Sequence, residues 1–554
     1  MKNRKVSLFV SVLFLCSALL HGSEPITINR IDEDKKSIKF GQKADGYKDV
    51  TVIKGKMCTK QNPISVSLAS VSNQEISISL SGELKISGPN EKYDVIWMIN
   101  DFEAGFPELS RNSIKNNEWT HFSGRTTIAV GANKQLYLSK TGIPLEESTF
   151  YLKNFSVKIE TEGTLGPKVN WLDAPSLKNE LNPYFRFGFA VTFKGELNNP
   201  DIQEGLYHHA DTITMGNEFK PDFLFAWQNP NAKLTQFTDE TGKTIDVPAI
   251  LPKFSDMDAI MGIAKMNGLQ LRGHVLVWHS QTPLWFFKEG FQNSKDAPYV
   301  DRETMTARQE WYIKTVLEHV AQWEVKNKCK EHIVWAWDVV NEAALDGASD
   351  SRWLREDSDW YRIYKDETFI VNAFRFANKY APKDVLLCYN DYGASSGSNL
   401  AKGGKTNACL KIIDAIQAAP DARIDVMGMQ SHISMSGPKA RGDDSYETAV
   451  KKYLAKGVDV HVTELDIGHQ GKYSAFKMKE RYNEMFDVFI KNRKTADSHG
   501  ISCVTIWGLN DESTWLDGQN EYKGNKQHPL LFEGRELNCK PAFYGVLEAC
   551  DSNK

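Results

Sequence analysis

Two glutamates stand out in the sequence because each directly follows an apolar stretch. Glu342 ends the segment WDVVNE, and Glu464 lies within the segment HVTELD. Two carboxyl groups about 5 Å apart can cleave a glycosidic bond, because one attacks the anomeric carbon while the other protonates the leaving oxygen. This division of work needs two different pKa values, which burial and mutual repulsion of the carboxyl groups can supply. We therefore predict that Glu342 and Glu464 form a catalytic pair.

Other polar and aromatic residues lie where further apolar stretches end. The parallel strands of a closed barrel bring their carboxyl ends to one face, and barrel enzymes carry their active sites there. A single polar strand end would mean little, but nearly all of the stretches end in this way, and together they predict one site. The residues are Asn217, Lys220, His274, Trp278, Gln281, Asn341, Tyr389, Gln430, His432, Asp466 and Trp507.

Strand-like and helix-like segments alternate from about residue 183 to residue 554. The predicted strands cover residues 185–191, 212–216, 269–278, 334–341, 385–390, 426–432, 459–465 and 503–509. The predicted helices cover residues 255–266, 303–325, 367–379, 406–418, 445–456 and 475–494. Apolar strands separated by helices in this number predict a (β/α)8 TIM barrel, within the α/β class. A doubly wound open sheet is the alternative, although no glycine-rich phosphate-binding segment follows the first strand.

Residues 24–165 show a different pattern, in which apolar and polar residues alternate with a period of two. This period indicates β-strands, and many short strands with turn residues between them predict an all-β jelly-roll sandwich. Gly163, Gly166 and Pro167 mark a domain boundary. We therefore expect a β-sandwich over residues 24–165, a linker over 166–182 and the barrel domain over 183–554.

The first 23 residues have the pattern of an export signal. Lys2, Arg4 and Lys5 precede an apolar stretch over residues 6–20, and Gly22 and Ser23 follow it. The stretch is short for a membrane span, and no later segment is long and apolar enough for one. We expect signal cleavage after about residue 23 and a secreted protein, extracellular or periplasmic, without a membrane partner. An uncleaved anchor is the alternative.

Composition narrows the classes of partner. The net charge of -4 offers no electrostatic attraction to nucleic acid or to an anionic membrane. Neutral sugars fit this charge better, and the 14 Trp and 19 Tyr residues suit stacking on sugar rings, although core packing accounts for most of them. The cysteines form no CxxC pair, so the sequence does not support a metal or redox motif. We expect no metal, no cofactor and a monomer. A disulfide between Cys503 and either Cys539 or Cys550 is left open.

Six motifs occur in order along the second region. They resemble those of the family 10 glycoside hydrolases, the endo-β-1,4-xylanases, and the resemblance covers roughly residues 175–550. The motifs are GHVLVWHSQ (273–281), WDVVNE (337–342), YNDY (389–392), GMQSH (428–432), VTELD (462–466) and TIWG (505–508).

The resemblance implies a role for each residue of the site. Glu342 would be the general acid/base and Glu464 the nucleophile of a retaining, internally cleaving xylanase acting on xylan or xylo-oligosaccharides. His432 would donate a hydrogen bond to the nucleophile while Asp466 holds its ring, and Asn341 would bind the sugar 2-hydroxyl. Asn217, Lys220, His274 and Gln281 would be polar contacts to the sugar on the non-reducing side, Trp507 and Trp515 its apolar wall, and Trp278, Gln430 and Tyr389 residues that line or support the cleft.

Two departures from the family pattern leave questions open. Gly216 stands where many members carry a glutamate, which puts one sugar contact in doubt, and the segment 508–515 differs although Trp515 is retained. Neither departure touches Glu342 or Glu464. Two alternative functions stay open: a hydrolase of another plant-type β-1,4-glycan, and a noncatalytic polysaccharide-binding surface protein.

The N-terminal region resembles the β-jelly-roll carbohydrate-binding modules in its segments 117–124 and 150–157. This resemblance implies a carbohydrate-binding module, with a plain spacer domain as the alternative. Trp97, Tyr93 and Trp119 are the candidates for an aromatic ligand platform.

Overall fold

The computed structural model describes residues 75–99, 106–128, 135–139, 143–144, 147–160, 166–225, 234–249, 253–398 and 403–554, with four short strands nearer the N-terminus. Contacts divide the chain into two compact units, residues 1–166 with 475–477, and residues 167–474 with 478–554. The predicted export signal lies outside the described residues. Within the described ranges no helix is both long enough and apolar enough to span a bilayer.

The first unit contains two four-stranded antiparallel sheets. One has the order Val50–Lys54, Thr149–Glu160, Ile76–Ser87 and Thr120–Ile128, and the other has the order Ser65–Ser67, Gln135–Ser139, Lys92–Ile99 and Glu108–Lys115. A separate strand pair joins Arg30–Asp32 to Ser37–Lys39. Alternate residues of Ile76–Ser87 are buried, as the period-two pattern predicts. The all-β prediction is thus confirmed.

The aromatic residues of this unit mostly form its core. Trp97 stacks on Phe122 and Phe155 with ring centroids 5.2 and 5.1 Å apart. Trp97 and Tyr93 are buried, so neither can serve as a ligand platform, whereas Trp119 is partly exposed.

The second unit is a closed parallel barrel, which confirms the (β/α)8 prediction. The sheet closes because the sixth strand pairs with the seventh as well as with the fifth. A short additional strand, His432–Ser434, lies beside the seventh. The eight strands are Arg186–Val191, Thr212–Met215, Gln270–Trp278, Val334–Asn341, Leu386–Asp391, Val426–Met429, Asp459–Gly468 and Ile501–Ile506.

The helices surround this barrel, and all six predicted ones are present. The described helices are Leu177–Leu181, Lys194–Leu197, Pro200–His209, Pro221–Phe225, Phe254–Met266, Arg302–Lys326, Asp359–Tyr364, Thr368–Tyr380, Lys405–Gln417, Tyr446–Leu454, Ala475–Lys491 and Pro541–Asp551. Pro200–His209 is not predicted by the sequence pattern because few of its side chains are apolar, although Asn199 caps it and Pro200 begins it. Two hairpins complete the unit, Leu234–Thr238 with Thr244–Pro248 and Phe532–Glu533 with Asn538–Cys539.

The sequence predicts a linker over residues 166–182, but all of these residues except Gly166 belong to the barrel unit. The segment forms a helical turn at Trp171–Asp173 and the short helix Leu177–Leu181. Trp171, Leu177 and Leu181 are almost fully buried in the main core. The linker prediction is therefore wrong, because three large apolar side chains of this segment gain more from burial than from solvent.

The open question of a disulfide is answered for the described cysteines. Cys329, Cys388, Cys409, Cys503, Cys539 and Cys550 are all free. Cys503 packs with Cys388 in a small cluster inside the barrel, whereas Cys539 and Cys550 belong to the main core.

Candidate active site

A chain of amide side chains connects the two predicted glutamates. Gln430 Nε2 donates to Glu342 Oε1 at 2.9 Å, and Asn390 Nδ2 donates to Glu464 Oε1 at 2.8 Å. The amide of Asn341 lies between them, 3.1 Å from that of Gln430 and 3.0 Å from that of Asn390. The structure thus brings Glu342, Glu464, Asn341 and Gln430 into one site at the carboxyl ends of the strands.

Glu464 lies at the end of a chain of hydrogen-bonded charges. His432 Nε2 is 3.1 Å from Glu464 Oε2, and His432 Nδ1 is 2.9 Å from Asp466 Oδ2. Burial opposes a charge on the imidazole, but Asp466 and Glu464 outweigh it and raise the pKa of His432 to about 10. Burial likewise acts to raise the pKa of Glu464, but the hydrogen bond from His432 and the neighbouring positive charge hold it below its usual value. Glu464 is therefore ionised and His432 protonated at neutral pH.

Glu342 has neutral hydrogen-bond partners. Trp278 Nε1 donates to Glu342 Oε2 at 3.0 Å, and the Asn341 amide is 3.3 Å from Glu342 Oε1. His279 Nδ1 is 3.9 Å from the carboxylate, and burial lowers the pKa of His279. The side chain of Glu342 is 14% exposed, against 6% for Glu464, so Glu342 is the more accessible carboxylate.

Three further predicted residues form a cluster beside Trp278. Lys220 Nζ donates to Gln281 Oε1 at 2.8 Å, and Gln281 Nε2 donates to Asn217 Oδ1 at 3.3 Å. The ammonium group lies 5.0 Å from the centre of the Trp278 ring. Burial lowers the pKa of Lys220, while the charges of Glu464 and Glu342 act in the opposite direction. Gly216 precedes this cluster, and a Cβ there would lie 3.0 Å from the Thr192 carbonyl oxygen, so the position has little room for a side chain.

Two tryptophans flank His432. The ring centroid of Trp515 lies 4.8 Å and that of Trp507 6.2 Å from the imidazole. Trp507 also lies 5.7 Å from the ring of His274, whose Nδ1 is 2.9 Å from Asp338. Trp515 is 42% exposed, the state expected for an aromatic side chain that can receive a ligand.

Tyr389 is the predicted residue that the structure places behind the site. It is fully buried, and its hydroxyl accepts hydrogen bonds from the backbone N–H groups of Ala343 and Ala344 at 3.2 and 3.0 Å. Tyr389 therefore supports the chain behind Glu342, which is one of the two roles that the resemblance implies for it, and its buried side chain does not line the cleft. Its neighbour Asn390 reaches the site instead, and the motif YNDY already contained that residue.

Two other residues around the site carry no sequence signal of their own. Arg355 and Lys405 come from outside the strand ends, yet both belong to the network behind Glu342. Across the described part of the chain, no group of three or more His, Cys, Asp or Glu side chains is arranged to hold a metal ion.

Comparisons with known proteins agree with this geometry. The sequence model described as glycosyl hydrolase family 10 matches residues 176–549. Endo-1,4-beta-xylanase Y of Acetivibrio thermocellus is 34% identical over 82% of this chain and 39% of its own length. Endo-1,4-beta-xylanase B of Butyrivibrio fibrisolvens is 34% identical over 68% of this chain and 54% of its own. The chain thus spans about half or less of these two curated relatives.

Solved structures show the same likeness. A Clostridium thermocellum endo-1,4-beta-D-xylanase, solved as CBM22-1 and GH10 modules with xylohexaose, covers 88% of this chain, with 87% of that chain matched, a TM-score of 0.54 and 27% identity. A GH10 structure from Paenibacillus barcinonensis covers 68% of this chain, with 97% of that chain matched, a TM-score of 0.53 and 30% identity.

Proposed function

The chain belongs to glycosyl hydrolase family 10, and we propose that within this family it is a retaining endo-1,4-β-xylanase that cleaves internal bonds of xylan. The observation that carries the proposal is the unequal setting of the two carboxylates. Glu464 is held ionised by a protonated histidine, whereas Glu342 is more accessible and has neutral partners.

Glu464 is the nucleophile of the proposed reaction. One of its oxygens attacks the anomeric carbon, and the bond from that carbon to the leaving sugar oxygen breaks. His432 and Asn390 hold one carboxylate oxygen each, which keeps the group ionised and fixes its direction. The product of this step is a glycosyl ester of Glu464.

Glu342 is the general acid and then the general base. It gives its proton to the leaving oxygen as the bond breaks, and it later takes a proton from the water that attacks the glycosyl ester. That attack releases Glu464 as a carboxylate and leaves the anomeric configuration unchanged overall. Trp278 and Gln430 donate to opposite oxygens of Glu342 and so hold the carboxyl plane for both steps.

The remaining residues of the site position the sugar. Asn217, Lys220 and Gln281 form a polar cluster beside Trp278 that can bind the hydroxyls of a non-reducing xylose. Trp507 and Trp515 can stack on a flat pentose and crowd the hydroxymethyl group of a hexose, which favours xylan over glucan. The relatives named as endo-1,4-beta-xylanases support this choice of substrate.

The rest of the chain belongs to the same proposal. The export signal over residues 1–23 would direct the protein out of the cytoplasm, and the β-sandwich over residues 24–165 would be a carbohydrate-binding module. A solved xylanase with CBM22-1 and GH10 modules that matches most of this chain supports the second point.

The proposal is tested by release of reducing sugar from xylan and by the configuration of the first product. Glu464→Gln and Glu342→Gln should each lower activity at least about a hundredfold. Glu331→Gln is the matched control, because Glu331 is exposed and lies shortly before the strand Val334–Asn341, which Glu342 follows. NMR should detect the β-anomer first. If the parent protein is inactive but still binds xylan, the chain is a noncatalytic polysaccharide-binding protein. If the α-anomer forms first, the retaining mechanism is contradicted.

A further inference from the structure

The backbone at Glu342 has an uncommon conformation that the surrounding residues must hold. Its φ is +57°, a left-handed value that residues other than glycine seldom adopt. The chain there is fixed on one side by a hydrogen bond from the Glu342 N–H to the Asn390 carbonyl oxygen at 2.9 Å. Two further sets of contacts hold the carbonyl group of Glu342 and the residues that follow it.

The first set begins at the carbonyl oxygen of Glu342. Arg355 Nε donates to it at 3.0 Å, and Arg355 Nη2 donates to the Tyr392 hydroxyl at 2.7 Å. The Tyr392 hydroxyl in turn donates to Asp346. Asp346 accepts from Lys405 Nζ at 2.6 Å, so the first set ends at Lys405.

The second set begins at the two residues that follow Glu342. Their N–H groups donate to the Tyr389 hydroxyl, which itself donates to Asp391 Oδ2 at 2.5 Å. Asp391 Oδ1 is 3.0 Å from Lys405 Nζ. Both sets of contacts therefore meet at one ammonium group.

Lys405 itself has no access to the cleft. Its side chain is 3% exposed, and its ammonium group lies 3.2 Å from the centre of the Tyr392 ring. Tyr389 and Asp391 are fully buried as well. Asp391 is fully buried, so without the ammonium group it would be a buried charge lacking its counter-ion. Asp346 is 57% exposed and keeps the hydrogen bond from Tyr392, but it would lose the contact that ties it to Asp391 through Lys405.

We propose that Lys405 is a positioning residue for Glu342. It closes the ring of contacts that holds the backbone of Glu342 in its left-handed conformation and thereby places the acid/base carboxyl group. The inference rests on the proposed function, because it assumes that Glu342 protonates the leaving group. Lys405 acts on the reaction only through the placement of that carboxyl.

Leaving groups of different acidity separate positioning from general structural support. A sugar is a poor leaving group and needs a proton as the bond breaks, whereas a dinitrophenolate leaves without one. A misplaced Glu342 should therefore slow the attack on xylohexaose and leave the attack on a 2,4-dinitrophenyl β-xylobioside almost unchanged. The ratio kcat/KM reports this first step for both substrates.

The experiment compares Lys405→Met, Lys405→Arg and Lys540→Met in the full chain. Lys540 is the matched control, because its side chain is 1% exposed and its ammonium group lies 2.6 Å from Asp511 Oδ2. Neither residue belongs to the contacts around Glu342. Lys405→Met should lower kcat/KM for xylohexaose at least about tenfold and change the dinitrophenyl value less than about twofold. Lys405→Arg should recover most of the loss, and Lys540→Met should affect the two substrates equally.

Two further variants keep the result interpretable. Tyr392→Phe breaks the first set of contacts without leaving a buried charge, and should give the same substrate dependence in weaker form. Glu342→Gln should show a larger difference between the losses on the two substrates. If Glu342→Gln shows no such difference, the acid/base role of Glu342 itself is refuted. Equal losses on both substrates in Lys405→Met and Tyr392→Phe, or no loss on xylohexaose, would overturn the positioning role while leaving the proposed function intact.

Discussion

The indole N–H of Trp515 donates a 2.7 Å hydrogen bond to Asp466 Oδ2, the same oxygen that lies 2.9 Å from His432 Nδ1. One wall of the cleft and the support of Glu464 therefore share a single acceptor atom. The Trp515 ring also contacts the imidazole edge-on, with centroids 4.8 Å apart. Trp515 thus contacts the charge chain in addition to its proposed role as an apolar wall for the sugar.

Trp515→Phe should change the pH dependence of the enzyme. Without the indole donor, Asp466 attracts the Nδ1 proton of His432 more strongly, so His432 donates less to Glu464. The pKa of Glu464, which His432 holds below its usual value, should rise. We expect the acid limb of kcat/KM on xylan to move up by about half a pH unit, the size that the loss of part of one charged hydrogen bond produces.

Trp507→Phe is the control for this shift. Trp507 also faces His432, with ring centroids 6.2 Å apart, but its indole makes no hydrogen bond to Asp466. Its replacement should raise KM and leave the acid limb in place. An unchanged limb in Trp515→Phe, or equal shifts in both variants, would show that the bond to Asp466 has no influence on Glu464.

The position of the proposed catalytic pair could be predicted because Glu342 directly follows one apolar strand and Glu464 lies in the carboxyl-terminal half of another, and these ends of barrel strands meet on one face. The position of Tyr389 could not be predicted in the same way. The fourth and fifth strands shift register between Asp338 and Val340, so that Tyr389 lies opposite Val340, and Asn390 opposite Asn341. Such a bulge changes which side chains face the cleft, and it leaves no mark in the pattern of apolar residues.

The ring of contacts at Lys405 is equally absent from any local pattern. Arg355, Tyr392 and Lys405 are separated in sequence and meet only because the loop after the fourth strand packs against the end of the fifth strand and the start of the helix Lys405–Gln417. The segment at residues 167–182 shows the opposite case, since the preceding Gly163 and Gly166 together with Pro167 suggest a linker, while the apolar residues of the segment are buried. Local composition predicts elements well here and predicts contacts between distant segments poorly.

A buried ion pair inside the barrel should behave as an all-or-none unit. Arg272 Nη2 lies 2.7 Å from Asp338 Oδ1, with the side chains 1% and 0% exposed. Burial acts to raise the pKa of Asp338, but the charge of Arg272 outweighs it and keeps the pKa below its usual value. Asp338→Leu leaves the arginine charge unpaired, and should lower the free energy of unfolding by about 3–5 kcal/mol in urea titrations.

The double variant Arg272→Met with Asp338→Leu supplies the comparison. Replacing both charges with apolar groups removes the unpaired ion, so the double variant should be more stable than Asp338→Leu alone by at least about 2 kcal/mol. A double variant no more stable than Asp338→Leu would mean that packing around these side chains, and not the unpaired charge, determines the loss.

His209 should make the barrel unit sensitive to acid. Its Nδ1 accepts from the Leu177 N–H at 3.2 Å and its Nε2 lies 2.7 Å from the Trp171 carbonyl oxygen, an arrangement that only the neutral ring satisfies. Burial lowers the pKa of His209 from 6.5 to about 4. The unfolded chain therefore takes up a proton as the pH falls below 6.5, while the folded protein does so only near pH 4. Above pH 6.5 His209 does not lower the free energy of unfolding. As the pH falls from 6.5 to about 4, the titration of His209 lowers the free energy of unfolding by roughly 3 kcal/mol in total.

His209→Gln should remove this dependence. Glutamine keeps a donor for the Trp171 carbonyl and cannot be protonated, so the free energy of unfolding between pH 6.5 and 4 should fall less steeply, by up to about 1.4 kcal/mol per pH unit. His208→Gln is the matched control, because His208 is the neighbouring residue on the same helix, its Nε2 lies 2.8 Å from the Ala174 carbonyl oxygen, and its side chain is more exposed. Urea titrations at several pH values measure both slopes. Equal slopes in the parent protein and His209→Gln would assign the acid sensitivity to other groups.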